Sequence, residues 1–260
     1  MISRRAGIYL LVALTIALGV AGLLAPRTPQ PLSYHHFADQ RSWLGIANFG
    51  DVVSNILFAV FGVLGLVYLS GESSQTQFID ARERWFYLLV FLGLLLTAFE
   101  SSYYHLAPDN ARLVWDRLPM TLVFTPLVAA MIAERISIPT GLWLLPVLVG
   151  IGIASVLQWY ASELRGHGDL RFYAALQIYA VLVLLVALLL PPRYTRSSDL
   201  FVVATLYVVA KICENADRQI FSIGHIISGH TLKHLAAGVA GFWILRMLQK
   251  RQTIQNQPAR

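Results

Sequence analysis

Residues 85–105, WFYLLVFLGLLLTAFESSYYH, are an apolar run long enough to cross a bilayer that ends in serines, tyrosines and a histidine. The run decides the fold class, because about 20 consecutive apolar residues are what a helix needs to span a hydrocarbon core. Seven more such stretches follow the same reading, at roughly 7–25, 51–70, 113–133, 140–160, 171–190, 199–216 and 226–248. The 260-residue chain is 57% hydrophobic and only 13% charged. A soluble domain would carry about twice that charge, so a soluble globular protein is excluded and little chain is left for an extramembrane domain. The expected fold is all-α: a polytopic transmembrane bundle with a seven-helix core plus one N-terminal helix.

The domain reading is an N-terminal transmembrane helix or signal anchor over 1–30, a seven-helix membrane domain over 31–250 and a cytoplasmic tail over 251–260. The first segment has a basic start and an apolar run, features shared by cleaved signal peptides. The length of the run and Pro26 directly after it favour a retained helix. The loop over 26–50 begins with prolines, but Phe37, Trp43, Leu44, Ile46 and Phe49 predict that it folds back onto the bundle. Pro119 and Pro126 fall inside the fourth segment, where a missing amide bends a helix. Cys213, the single cysteine, has no internal disulfide partner and reads as a small packed hydrophobe.

Basic residues set the expected orientation, since positively charged short loops stay in the cytoplasm. With the N-terminus inside, Arg4, Arg5, Arg82, Arg84, Arg135, Arg193, Arg196, Arg246, Lys250, Arg251 and Arg260 all fall on the cytoplasmic side. Both termini are therefore expected inside. The net charge of +6 reads as topology and anionic-lipid contact, not nucleic-acid binding, because no basic stripe with interleaved aromatics appears.

The chemistry gathers at segment ends. His230 and His234 in SGHTLKHLAAG are four residues apart, a spacing that places two imidazoles on one helix face and on one metal ion. His105 is the candidate third ligand, with Ser101 one turn deeper on the same helix. The third segment ends, and the fourth and eighth begin, on the same side, so Ser101, His105, Asp116, His230 and His234 should meet at one membrane level. An ionisable group inside a membrane is itself a functional hypothesis. His35, His36, His167 and His225 are left out, as solvated or off-face histidines. Lys211, Glu214, Asp217 and Arg218 cluster near the end of the seventh segment and read first as ion pairs along the helix. The alternative has Glu214 or Asp217 facing the cavity.

The arrangement Ser101-x3-His105, Asp116 eleven residues on, and His230-x3-His234 in the last helix resembles the alkaline ceramidase family. That family is related to the progestin and adiponectin receptors and to enzymes that remodel glycolipid anchors. DVVSNILF, with Ser54 and Asn55, and DRLPM after Asp116 narrow the resemblance to the ceramidase branch, and it covers roughly residues 34 to 248. It implies a seven-helix core with zinc on His105, His230 and His234, Asp116 taking a proton from water, and Ser101 stabilising the oxyanion. Animal members bind calcium through an acidic N-terminal segment. Here FADQRSWLGIANFGD offers only Asp39, Asn48 and Asp51, too sparse a set to count on calcium.

The function so implied is zinc-dependent hydrolysis of the N-acyl bond of a ceramide-like lipid, with lipid and membrane as the partners. Two alternatives stay open: another N-acyl or ester lipid as substrate, or a receptor-like lipid-binding protein with structural zinc. Oligomeric state is not legible.

Overall fold

The computed structural model describes residues 2–254, apart from the side chains at 73 and 75; of the expected tail over 251–260, positions 255–260 lie outside the described residues. The architecture is all-α. Ten helices follow in order: α1 (Arg4–Leu24), α2 (Phe49–Val53), α3 (Ile56–Ser70), α4 (Arg84–Leu106), α5 (Asn110–Arg135), α6 (Ile138–Leu164), α7 (Arg171–Leu188), α8 (Asp199–Asn215), α9 (Asp217–Ser222) and α10 (Gly229–Lys250). Short 3-10 turns and two isolated β-bridges complete the described residues, and no strand is formed among them.

Helices α3, α4, α5, α7, α8 and α10 form a closed ring, each packed on the next and α10 on α3. α6 packs outside, against α5 and α7, and α1 packs on α7 alone of the long helices. The peripheral position of α1 shows in its burial: only Gly7, Leu11 and Gly22 are buried. Two glycines bring the α3–α4–α5 side of the ring close together. A Cβ on Gly62 would stand 2.7 Å from the Leu95 amide nitrogen, and one on Gly93 would stand 2.9 Å from the Leu122 carbonyl carbon. Small residues that let backbones approach are how helices pack where solvent provides no driving force.

Helix starts follow local capping chemistry. Asp109 accepts from the Arg112 amide at 2.7 Å at the start of α5, and Ser228 accepts from the Thr231 amide at 2.9 Å at the start of α10. These contacts satisfy amides that have no partner within the helix.

Six of the eight expected spans are long and apolar enough to cross a membrane: Arg4–Leu24, Phe49–Ser70, Ala81–Leu106, Asn110–Arg135, Ile138–Leu164 and Arg171–Leu188. α8 has only 17 residues and α10 carries Lys233, Arg246 and Lys250. Both close the ring, and the polar residues Lys211, Glu214 and Lys233 that lower their hydropathy line an internal cavity. The second span is not one helix. At its break Asn55 N–H donates to Val52 O (3.3 Å), not to Asp51 O one residue further back, which leaves the Asp51 carbonyl free for other donors.

Candidate metal centre and apolar cavity

Three histidines meet at one end of the bundle. The rings of His105 and His230 lie 4.8 Å apart, His105 and His234 4.9 Å, and His230 and His234 4.8 Å. One nitrogen from each falls within 4.8 Å of the others, and all three side chains are buried. The i, i+4 pair comes from α10 and the third ring from the last turn of α4. Such a set can hold a divalent metal such as zinc, for which imidazole is a common ligand.

Hydrogen bonds to the rings bear on that fit. His234 Nδ1 lies 3.0 Å from the Asp51 carbonyl, which can only accept, so Nδ1 carries the proton and Nε2 keeps its lone pair. The break between α2 and α3 is what makes this carbonyl available. Ser54 Oγ, 2.9 Å from the same nitrogen and 3.1 Å from Asp51 O, fixes the arrangement. Outer partners of this kind orient ligating histidines at metal sites. His105 Nδ1 is buried with no hydrogen-bond partner, an unspent valency on a candidate ligand. The Lys233 ammonium lies 3.4 Å from His230 Nε2 and can only donate, so that nitrogen is unprotonated and its lone pair can meet the lysine or a metal, one in place of the other. The donor set therefore fits a metal.

Ser101 and Asp116 are both buried, interact through their side chains, and line one cavity together with His234. Ser102, the neighbour on α4, instead donates to the Ala98 carbonyl at 2.7 Å. The cavity has a volume of about 360 Å³. Its head carries Ser101, Asp116, Arg117, Glu214, Lys233 and His234; below them the walls are almost wholly apolar, from Met120 to Met131 on α5 and from Ala237 to Ile244 on α10. The distance from Asp116 to Met131 is roughly 22 Å at 1.5 Å per helical residue. That shape suits a single acyl chain with its polar group at the histidine end.

The three calcium candidates do separate work. Asp39 pairs with Arg41 at 2.7 Å, and hydrogen bonds from Arg41 hold its carboxyl below the usual range while burial acts in the opposite direction. Asn48, in the left-handed conformation that asparagine tolerates, donates to the His105 carbonyl at 2.7 Å. Asp51 Oδ1 accepts from Thr231 Oγ1 at 2.7 Å and Ser228 Oγ at 3.2 Å, tying α2 to the start of α10. Its Oδ2 has no partner. These residues brace the histidines.

Several participants were not expected. Phe37 packs against His105 and His230, with ring centroids 4.6 and 4.5 Å away, so the 26–48 loop covers the histidine cluster. Asp217 holds that cover by accepting from Ala38 N and His230 N, both at 2.8 Å. His35, expected to be solvated, is half-buried between Tyr104 Oη and Asn110 Oδ1, each at 2.9 Å. Glu214 satisfies both expectations at once: it pairs with Lys211 along the helix at 2.5 Å and with Lys233 across to α10 at 2.8 Å, and it lines the cavity. Phe37, Glu214 and Asp217 carried signals in the sequence, and Lys233, which was missed, carried one as the charged residue between His230 and His234. The sequence matches no family model and no curated protein.

Proposed function

We propose that this chain is a zinc-dependent membrane amidohydrolase that cleaves the N-acyl bond of a ceramide-like lipid, as its resemblance to the alkaline ceramidases implies. One observation supports the reading: His234, one member of the three-histidine cluster, lines the head of a long apolar cavity together with Ser101 and Asp116. Bound to His105, His230 and His234, zinc would supply Lewis acidity and a water of lowered pKa. Asp116 accepts a proton from the attacking water and returns it to the amine nitrogen as the carbon–nitrogen bond breaks. The water oxygen ends in the fatty-acid carboxyl group. Ser101 donates a hydrogen bond from its hydroxyl to the carbonyl oxygen as negative charge builds there, keeping its proton throughout. The apolar walls hold the acyl chain and keep bulk water from the reacting carbonyl.

The same reading has both termini in the cytoplasm and the histidines toward the opposite face. It draws support from Arg84 and Lys250, which begin α4 and end α10 at the end away from the cluster. The test is fatty-acid release from an N-acyl sphingoid base by the purified protein. Asp116→Asn should keep fold and metal while turnover falls by on the order of 10²–10⁴, the usual contribution of acid–base catalysis. Unchanged turnover in that variant removes Asp116 from the mechanism. No release by the wild type from ceramide, N-acyl amino-acid or ester lipids leaves a lipid-binding protein with a structural metal.

A further inference from the structure

The head of the cavity carries more positive than negative charge. Arg117, Lys211 and Lys233 line it, against the carboxylates of Asp116 and Glu214. Glu214 is spent on both lysines. It also accepts from Tyr34 Oη at 3.3 Å, and burial pushes that phenol up to about 12, so Tyr34 adds no negative charge at neutral pH. Asp116 is engaged with Ser101 and feels the charges of both Lys233 and Arg117 through space, so one carboxylate faces two cations and none of the described ion pairs joins it to Arg117.

Arg117 is the cation left over. It is 6% exposed, and among the described residues its one hydrogen bond runs from Nη2 to the neutral Gln30 Oε1 at 2.6 Å. Its Nη1 is buried without a partner. The rings of Trp159 and Tyr173, with centroids 4.2 and 4.9 Å from the guanidinium carbon, hold the group in place. A buried guanidinium with an open N–H is costly unless something anionic meets it. A planar, fixed guanidinium is also the side chain best suited to pair with a carboxylate.

The geometry points to Arg117 as a specificity residue for a carboxylate on the amine side of the substrate. This replaces ceramide, whose amine side carries hydroxyls and no carboxylate, by an N-acyl amino-acid lipid as the preferred substrate of the same amidase chemistry, with the acyl chain in the apolar cavity. The bond cleaved rests on the amidase reading, whereas recognition of the charged head does not. Hydrolysis of such a lipid consumes one water and gives a fatty acid and an amino acid.

The test compares N-dodecanoylglycine with N-dodecanoylethanolamine, which share chain and amide and differ in head charge. Turnover is measured by dodecanoic acid release, and affinity by thermal stabilisation of the full-length protein in detergent. The wild type should favour the glycine compound on the order of tenfold or more in both, the scale of a hydrogen bond to a charged group. Arg117→Gln should erase the preference with the metal retained, and Arg117→Lys should keep part of it. Equal treatment of the two compounds by the wild type overturns the proposal, even if Arg117→Gln does not fold, and leaves the amidase reading standing. Tighter, Arg117-dependent binding of the glycine compound without turnover of either supports the recognition and removes both compounds as amidase substrates. Equal binding without turnover overturns the recognition as well.

Discussion

The two ends of the bundle both bury charge, and they use it differently. At the end away from the histidines, the Arg251 guanidinium sits among the rings of Tyr194, Phe78 and Tyr87 at 4.1, 4.6 and 5.2 Å. It donates to the Gln77 carbonyl at 3.1 Å, and Glu134 lies 3.9 Å away. Glu83 accepts from Tyr194 Oη at 2.7 Å, and Arg135 donates to the Leu190 carbonyl at 3.0 Å. These groups clamp the chain after α10 onto the loops that precede α4 and α8. At the histidine end, three ligand-type side chains share one centre, and Ser101, Asp116 and Arg117 open onto a cavity. Unpartnered nitrogens occur at both ends, since Arg251 Nη2 and Arg135 Nη2 lack partners as His105 Nδ1 and Arg117 Nη1 do. An open valency alone therefore does not mark a site; convergence on a space that can take a ligand does.

If the ends are independent, each can be damaged alone. Arg251→Met should cost about 1–3 kcal/mol, because the Gln77 carbonyl loses a charged donor and three aromatic rings lose their shared cation, while Glu134 keeps Arg135 at 3.3 Å. The thermal midpoint in detergent should fall while the folded fraction keeps its metal, and loss of the metal would break the comparison. Ser54→Ala acts at the other end. It removes an outer hydrogen bond to His234, so metal affinity in a chelator competition should fall about 10- to 100-fold with the thermal midpoint nearly unchanged. An unchanged affinity would mean the Asp51 carbonyl orients the ring by itself.

The smallest effect concerns the loop over the cluster. Asp39 has a folded pKa held below its unfolded value, so its pairing with Arg41 stabilises the loop above the unfolded pKa and is lost as pH falls through the folded one. Arg41 also donates to the carbonyls of His225 and Ile226, both at 2.8 Å. Protease resistance of the loop should drop only in acid for the wild type. In Arg41→Ala that drop should vanish, and a drop of the same size would assign it to another carboxylate.

The helices were legible because six of the apolar runs are long enough to span and the other two keep most of their apolar length, and the histidine cluster because an i, i+4 pair and the alternation of spans fix which residues share a level. The Ser54–Asn55 break was not, since VVSNILF carries neither glycine nor proline; it stands beside Asp51, whose carboxyl is bonded by Ser228 and Thr231 far along the chain. Arg135 and Arg251 read as basic loop residues, yet they are almost fully buried. Nothing local encodes that, because Phe78, Tyr87 and Tyr194 come from separate segments. Arg117 could be assigned to the same side as Asp116, but its open nitrogen depends on Gln30, Trp159 and Tyr173 arriving from three other parts of the chain.

The central claim is that the histidine end is a metal centre, and elemental analysis of protein purified without chelators tests it most directly. The account predicts about one zinc per chain, lost in His105→Ala, His230→Ala and His234→Ala because two imidazoles hold the ion poorly, and retained in Arg251→Met. Wild-type protein with no bound transition metal, or histidine variants that keep it, would contradict the account.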